Sequence, residues 1–149
     1  MKNIVLILAV LFLSASYSVK LQAQTEAQKV ELCSKMAGKD ASYLKDFTAD
    51  LPATKSNEKT QSYKFSLLLQ KSTRYRITIC TDDDSPGRGY VQLFDKEKML
   101  GSSYNPQTGK EYKSFEFDCQ KADAYHFFVQ FVDGKAGKAI VILSYVKRL

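Results

Sequence analysis

Few residues in this 149-residue chain have side chains suited to chemistry, and each of them has an ordinary structural role as well. The single histidine, His126, falls across from Asp118 when residues 113–129 are read as a hairpin. A His–Asp pair can orient a general base for a nucleophile, but no nucleophile elbow or oxyanion-hole pattern accompanies it. As a plain cross-strand polar pair it contributes about 0.2–1 kcal/mol. Asp82-Asp83-Asp84-Ser85-Pro86-Gly87 is the densest acidic run. Consecutive acids in a loop can supply two or three oxygens to calcium, which makes Asp82, Asp83 and Asp84 the candidate metal ligands. The run lacks the alternating acids and terminal Glu of a helix-loop-helix calcium site, so a solvated turn is the competing reading.

The remaining candidates point to binding. Tyr90, Tyr104 and Tyr112 sit near strand ends, where their rings can stack on sugars or serve as rim contacts. Arg74 and Arg76 share an outer face with Lys64 and Lys71 and could meet anionic groups. Few aromatic residues alternate onto that face, and the chain begins like a secreted protein, so nucleic acid is a poor partner. No zinc spacing, phosphate loop or dinucleotide fingerprint occurs, and no cofactor is implied beyond the candidate calcium.

The elements that must position these residues are set by an internal repeat. Residues 63–79 lie over residues 113–129 without a gap, at an offset of 50. Phe65 falls on Phe115, Leu67 on Phe117, Leu69 on Cys119, Tyr75 on Tyr125 and Ile77 on Phe127. The same offset carries Val91 onto Val141 and Leu93 onto Leu143. Each copy reads as a strand, a turn at Lys71 or Lys121, a returning strand and a third strand. Pairing across the two turns sets Leu69, Leu67 and Phe65 against Tyr75, Ile77 and Ile79. It likewise sets Cys119, Phe117 and Phe115 against Tyr125, Phe127 and Val129. These twelve residues are the expected core, each worth roughly 1.5–3 kcal/mol of burial before entropy is counted. On the outer face the copies differ: Lys64, Arg74 and Arg76 in the first, Glu116, Asp118 and His126 in the second.

Strands are expected at 61–70, 73–81, 89–95, 98–104, 111–119, 123–132 and 138–146, with Gly-, Pro-, Asn- and Asp-rich turns between them. Short strands at this spacing predict an all-β, seven- to eight-stranded antiparallel sandwich, jelly-roll-like, over 61–149. Ahead of it, Ala27, Val30, Cys33, Met36 and Ala37 recur at helical spacing between Thr25 and Gly38, a short N-terminal helix. Residues 24–52 read as that helix and a connector, in which Tyr43, Leu44 and Phe47 extend the apolar contact into a second turn or a short strand.

Residues 1–23 have the form of a secretory signal peptide: Lys2, an apolar run from Ile4 to Leu13, then small residues ending at Ala23. The run is about half the roughly 20 residues a membrane span needs. Loss of Lys2 and Lys20 would lower the net charge from +6 to +4, mildly basic. The implied location is the periplasm or the exterior, where three cysteines suggest one disulfide and one unbridged thiol. Cys33–Cys80, Cys33–Cys119 and Cys80–Cys119 are all open. Cys80 alternates with Arg74, Arg76 and Thr78 and Cys119 with Phe115 and Phe117, so a bridge between these two needs a break in parity. Of the two pairings that use Cys33, Cys33–Cys80 is the expectation: it would staple the N-terminal helix to the sandwich and contribute about 3–4 kcal/mol on the chain-entropy model.

Tyr63 to Ile79, Val91-Gln92-Leu93-Phe94-Asp95, Phe115 to Val129 and Ala139 to Tyr145 together resemble the bacterial pre-peptidase C-terminal domain and related jelly-roll modules. The likeness spans about 61–146, although no Gly precedes Tyr75 or Tyr125. What it implies is a non-catalytic accessory or binding module. The expected function is therefore non-catalytic binding of an envelope glycan or a surface protein. The alternative is a periplasmic inhibitor or stabilising partner of a secreted enzyme, acting through a loop such as 82–89 or 105–109.

Overall fold

A computed structural model describes residues 24–149, and the leader read at residues 1–23 lies outside the described residues. Helix α1 spans Glu26–Met36. Its start is a capping box: Gln28 N donates to Thr25 Oγ1 at 3.3 Å, and Thr25 N donates to Gln28 Oε1 at 2.9 Å. Its end is turned by Gly38, whose φ of 93° suits glycine. Ten strands follow: β1 Ser42–Leu51, β2 Tyr63–Leu69, β3 Thr73–Thr81, β4 Gly89–Asp95, β5 Lys98–Ser102, β6 Tyr104–Asn105, β7 Lys110–Glu111, β8 Ser114–Cys119, β9 Asp123–Phe131 and β10 Gly137–Arg148. Eight of them form two four-stranded antiparallel sheets, ordered β1-β10-β3-β8 (sheet A) and β2-β9-β4-β5 (sheet B), while β6 and β7 make a small separate hairpin. The protein is an all-β sandwich with an N-terminal helix.

All twelve residues of the expected core pack in one cluster, but their pairing differs from the hairpin reading. The turn after Leu69 carries the chain from sheet B to sheet A, and the turn after Cys119 carries it back. β2 therefore pairs with β9, with Phe65 opposite Phe127, and β3 pairs with β8, with Ile77 opposite Phe115. Those two pairs are the same pair with the copies exchanged. The third strands obey the same rule, since Leu93 lies opposite Phe127 and Leu143 opposite Ile77. Each sheet thus takes the first and third strands of one copy and the second strand of the other. An internal two-fold relation follows, and the divergent outer residues Arg74 and Asp118, and Arg76 and Glu116, become direct neighbours.

Two boundaries also differ. Residues 42–51, read as connector with a second turn or a short strand near Tyr43–Phe47, are a full ten-residue edge strand paired with β10. A register shift between Tyr43 and Lys45 interrupts the period-two pattern, and Ala49 is the one fully buried residue of the strand. Such a segment carries little alternation for a sequence reading to detect. The strands expected at 98–104 and 111–119 are each shortened, because residues 103–113 leave the sheet edge as the β6–β7 hairpin.

The outer face of sheet A is covered by α1. Cys33 packs on Ile140 and Ile142, with Val30 and Cys80 alongside. The Sγ atoms of Cys33 and Cys80 are bonded, with Cα atoms 5.9 Å apart, so the favoured pairing is the one formed. Cys119 is unbridged and fully buried, as its inward parity requires.

Candidate binding surface

The β6–β7 hairpin is attached to sheet B by one buried residue. Val91 N donates to Ser103 Oγ and Ser103 N donates to Val91 O, both at 2.9 Å, and Tyr112 N donates to Ser103 O at 2.8 Å. At the tip, Asn105 Oδ1 accepts from Gln107 N at 2.9 Å and Thr108 N at 3.3 Å, an Asx turn, and Gly109 N returns to Asn105 O at 2.8 Å. An Arg88–Glu111 ion pair at 3.0 Å ties the base of the hairpin to the neighbouring loop. The hairpin is thus held by its own turn and ladder bonds and by the two bonds between Ser103 and Val91.

Between this hairpin and β5 lies an uncharged groove of about 390 Å³, lined by Met99, Tyr104, Asn105, Pro106, Gln107 and Tyr112. Met99 is 52% exposed and Tyr112 44%, a large apolar presentation for two neighbouring side chains. Lys110 Nζ stands 4.9 Å from the Tyr112 ring centre. The structure brings the three tyrosines close together. Tyr104 and Tyr112 line the groove, and the Tyr90 ring lies 5.2 Å from that of Tyr104. Tyr90 also donates its hydroxyl to Gln130, and partial burial raises its phenol above the ordinary range.

The aromatic surface continues over the outward face of sheet B. Phe94 meets Phe128 edge-on at 5.3 Å, and Lys64 Nζ stands 5.3 Å from the Phe128 ring. His126 Nδ1 is hydrogen-bonded to Ser66 Oγ at 2.7 Å. The expected His126–Asp118 pair does not form, because β8 and β9 belong to different sheets.

No protein-family model and no curated protein matches the sequence. Among solved structures, the chain is similar to Aeromonas hydrophila PliG, a periplasmic lysozyme inhibitor of g-type lysozyme. The TM-score is 0.51 at 7% identity, over 70% of this chain and 87% of that one. A fainter likeness, TM-score 0.40 at 18% identity, is to the Glycosylation Associate Protein (Gap123) complex of Streptococcus agalactiae, covering 74% of this chain and 41% of that one. At 7% identity the likeness to PliG is one of fold alone.

Arg74 and Arg76 lie apart from the tyrosines, on sheet A, and both are occupied. Arg74 makes a bidentate pair with Asp118 at 2.5 and 2.7 Å. Arg76 donates to Ala37 O at the end of α1, to both Asp40 oxygens at 2.8 Å, and to Glu116. Contact with Asp40, then Glu116, raises the Arg76 guanidinium further above its ordinary range, and the same bond lowers the Asp40 carboxyl. These arginines clamp the helix end and one sheet edge. The acidic run is divided as well: Lys29 Nζ takes Asp82 at 2.6 Å, while Asp83 and Asp84 stay exposed. Among the described residues no three acidic, histidine or cysteine side chains are grouped as a metal site. Sequence reasoning missed Met99 and Ser103. The Asn105–Gly109 turn was legible, but nothing in the pattern marks where β5 stops and the hairpin starts.

Proposed function

We propose that the protein acts by non-catalytic binding, and that it is a periplasmic or secreted inhibitor of an enzyme, engaged through the β6–β7 hairpin. The observation that carries this reading is the uncharged aromatic groove on a hairpin held rigid by Ser103 and Asn105. A loop already fixed in its bound shape loses little entropy on docking, and exposed tyrosines at the centre of a contact supply most of its energy. The disulfide suits an oxidising compartment. No helix among the described residues is long and apolar enough to cross a membrane. PliG, whose fold is similar, is a periplasmic lysozyme inhibitor, which supports an enzyme as partner.

The test is a cell-wall lysis assay with g-type lysozyme and a panel of secreted glycan-cleaving enzymes. Stoichiometric inhibition of one of them is expected, weakened roughly tenfold or more by Tyr112→Ala with no change in melting temperature. A second reading, glycan binding, is favoured by neutral amides (Gln130, Asn105 and Gln107) beside the tyrosine rings. Saturable binding on a glycan array, lost in Tyr104→Ala and unaccompanied by inhibition of any enzyme, would replace the first reading with the second.

A further inference from the structure

A second groove lies on the opposite sheet, between α1 and the β3–β4 loop, with a volume of about 470 Å³. Its floor is the Cys33–Cys80 disulfide and Ile140. One wall is made by Leu32 and Met36, which are 49% and 46% exposed. These residues stand one helical turn apart, so they form a strip of their own beside the buried face of Cys33 and Ala37. Met36 Sδ lies 3.5 Å from Cys80 Sγ, which joins the strip to the disulfide. The other wall carries Asp82, Asp83 and Asp84. Lys29 is the one cation lining the groove, and its ammonium is committed to Asp82 at 2.6 Å. Asp83 and Asp84 have no ion-pair partner among the described residues.

The helix cannot rotate to bury Leu32 and Met36. The disulfide pins its middle, Glu26 accepts from Lys138 at 2.8 Å and Thr48 at 3.0 Å at its start, and Arg76 holds the Ala37 carbonyl at its end. The groove is therefore preformed, apolar along one side and net acidic along the other, with three carboxylates to the one ammonium of Lys29. That charge is opposite in sign to the +6 of the whole chain.

We propose that this groove docks a cationic amphipathic peptide, with its apolar side chains on Leu32, Met36 and the disulfide and its amino or guanidinium groups on Asp83 and Asp84. Charge complementarity selects this occupant. An anionic ligand is repelled at the mouth, and a neutral one leaves both carboxylates unmatched. The basic remainder of the surface repels the same peptide, so binding is confined to this patch. The proposal does not depend on the hairpin being an inhibitory loop.

The test titrates a labelled synthetic peptide of alternating leucine pairs and lysines into the purified protein, read by fluorescence anisotropy at low and physiological salt. Saturable one-to-one binding that weakens with salt is expected. Affinity should fall about tenfold in the double variant Asp83→Asn/Asp84→Asn, and by a similar factor in Leu32→Ser/Met36→Ser. All four positions are exposed, so the variants should keep the melting temperature of the parent. Absence of binding, equal binding of a glutamate–leucine counterpart, or unchanged affinity in both double variants would each overturn the proposal.

Discussion

At the scale of single residues, the two arginines show how a charged side chain can be fully absorbed by the fold. The guanidinium of Arg76 makes five hydrogen bonds, to Glu116 twice, Asp40 twice and the Ala37 carbonyl. A lysine cannot reproduce that fork, so Arg76→Lys should lower stability by about 1–3 kcal/mol in urea denaturation and fray the end of α1. Cys119 is the converse case, a reactive group made inert by burial at 0% exposure beneath Lys121 O and the Tyr125 hydroxyl. Burial also pushes the Tyr125 phenol up to about 12. Labelling of Cys119 by a thiol reagent should therefore proceed only at the rate of global unfolding; fast labelling under native conditions would contradict the packing described.

At the scale of elements, the β6–β7 hairpin depends on Ser103 and on the close approach of β5 to β8. A methyl group on Gly101 would lie 2.5 Å from the Phe115 ring, which explains why glycine stands there. Ser103→Ala would leave Val91 N buried without an acceptor, at a cost of about 1–3 kcal/mol. Hydrogen exchange should speed up over residues 103–112 while the central strands β3 and β9 keep their protection. Weakened inhibition in this variant, with Tyr104 and Tyr112 intact, would separate the rigidity of the hairpin from its contact chemistry. The turn at Asn105–Gly109 was legible from residue types. The groove was not, because Met99, Tyr104 and Tyr112 come from three separate segments that meet only after the sheet edge is formed.

At the scale of the whole molecule, stability rests on the two-sheet core, the disulfide and a set of surface ion pairs. Removing both cysteines of the bridge should lower stability by about 3–4 kcal/mol on the chain-entropy model, with the urea midpoint as the measurement. Arg74 lowers the Asp118 carboxyl, Arg76 that of Asp40, and Lys138 followed by Thr48 that of Glu26. Each folded pKa lies below its unfolded value, so the unfolded chain takes up protons first on acidification. The contribution is complete above the ordinary carboxylate range and is lost as pH falls through the lowered values. The urea midpoint should accordingly decline from about pH 5 downward, and a flat profile there would show that the pairs do not stabilise the fold.

The sequence alone determined which face of the repeated strands turns inward, because alternation at period two marks a strand's inner face whatever that strand pairs with. It also determined the repeat, the helix and the inward parity of Cys119 that spoke against a Cys80–Cys119 bridge, while the structure chose Cys33–Cys80 over Cys33–Cys119. Pairing was decided only by tertiary structure. Phe65 and Ile77 face the same core whether their strands are hairpin neighbours or lie in opposite sheets, and the pattern is identical in both cases. That choice in turn settled the surface. It set Arg74 and Arg76 against the acids of the second copy, parted His126 from Asp118, and gathered the half-buried Tyr90 and Tyr104 with the exposed Tyr112 beside sheet B.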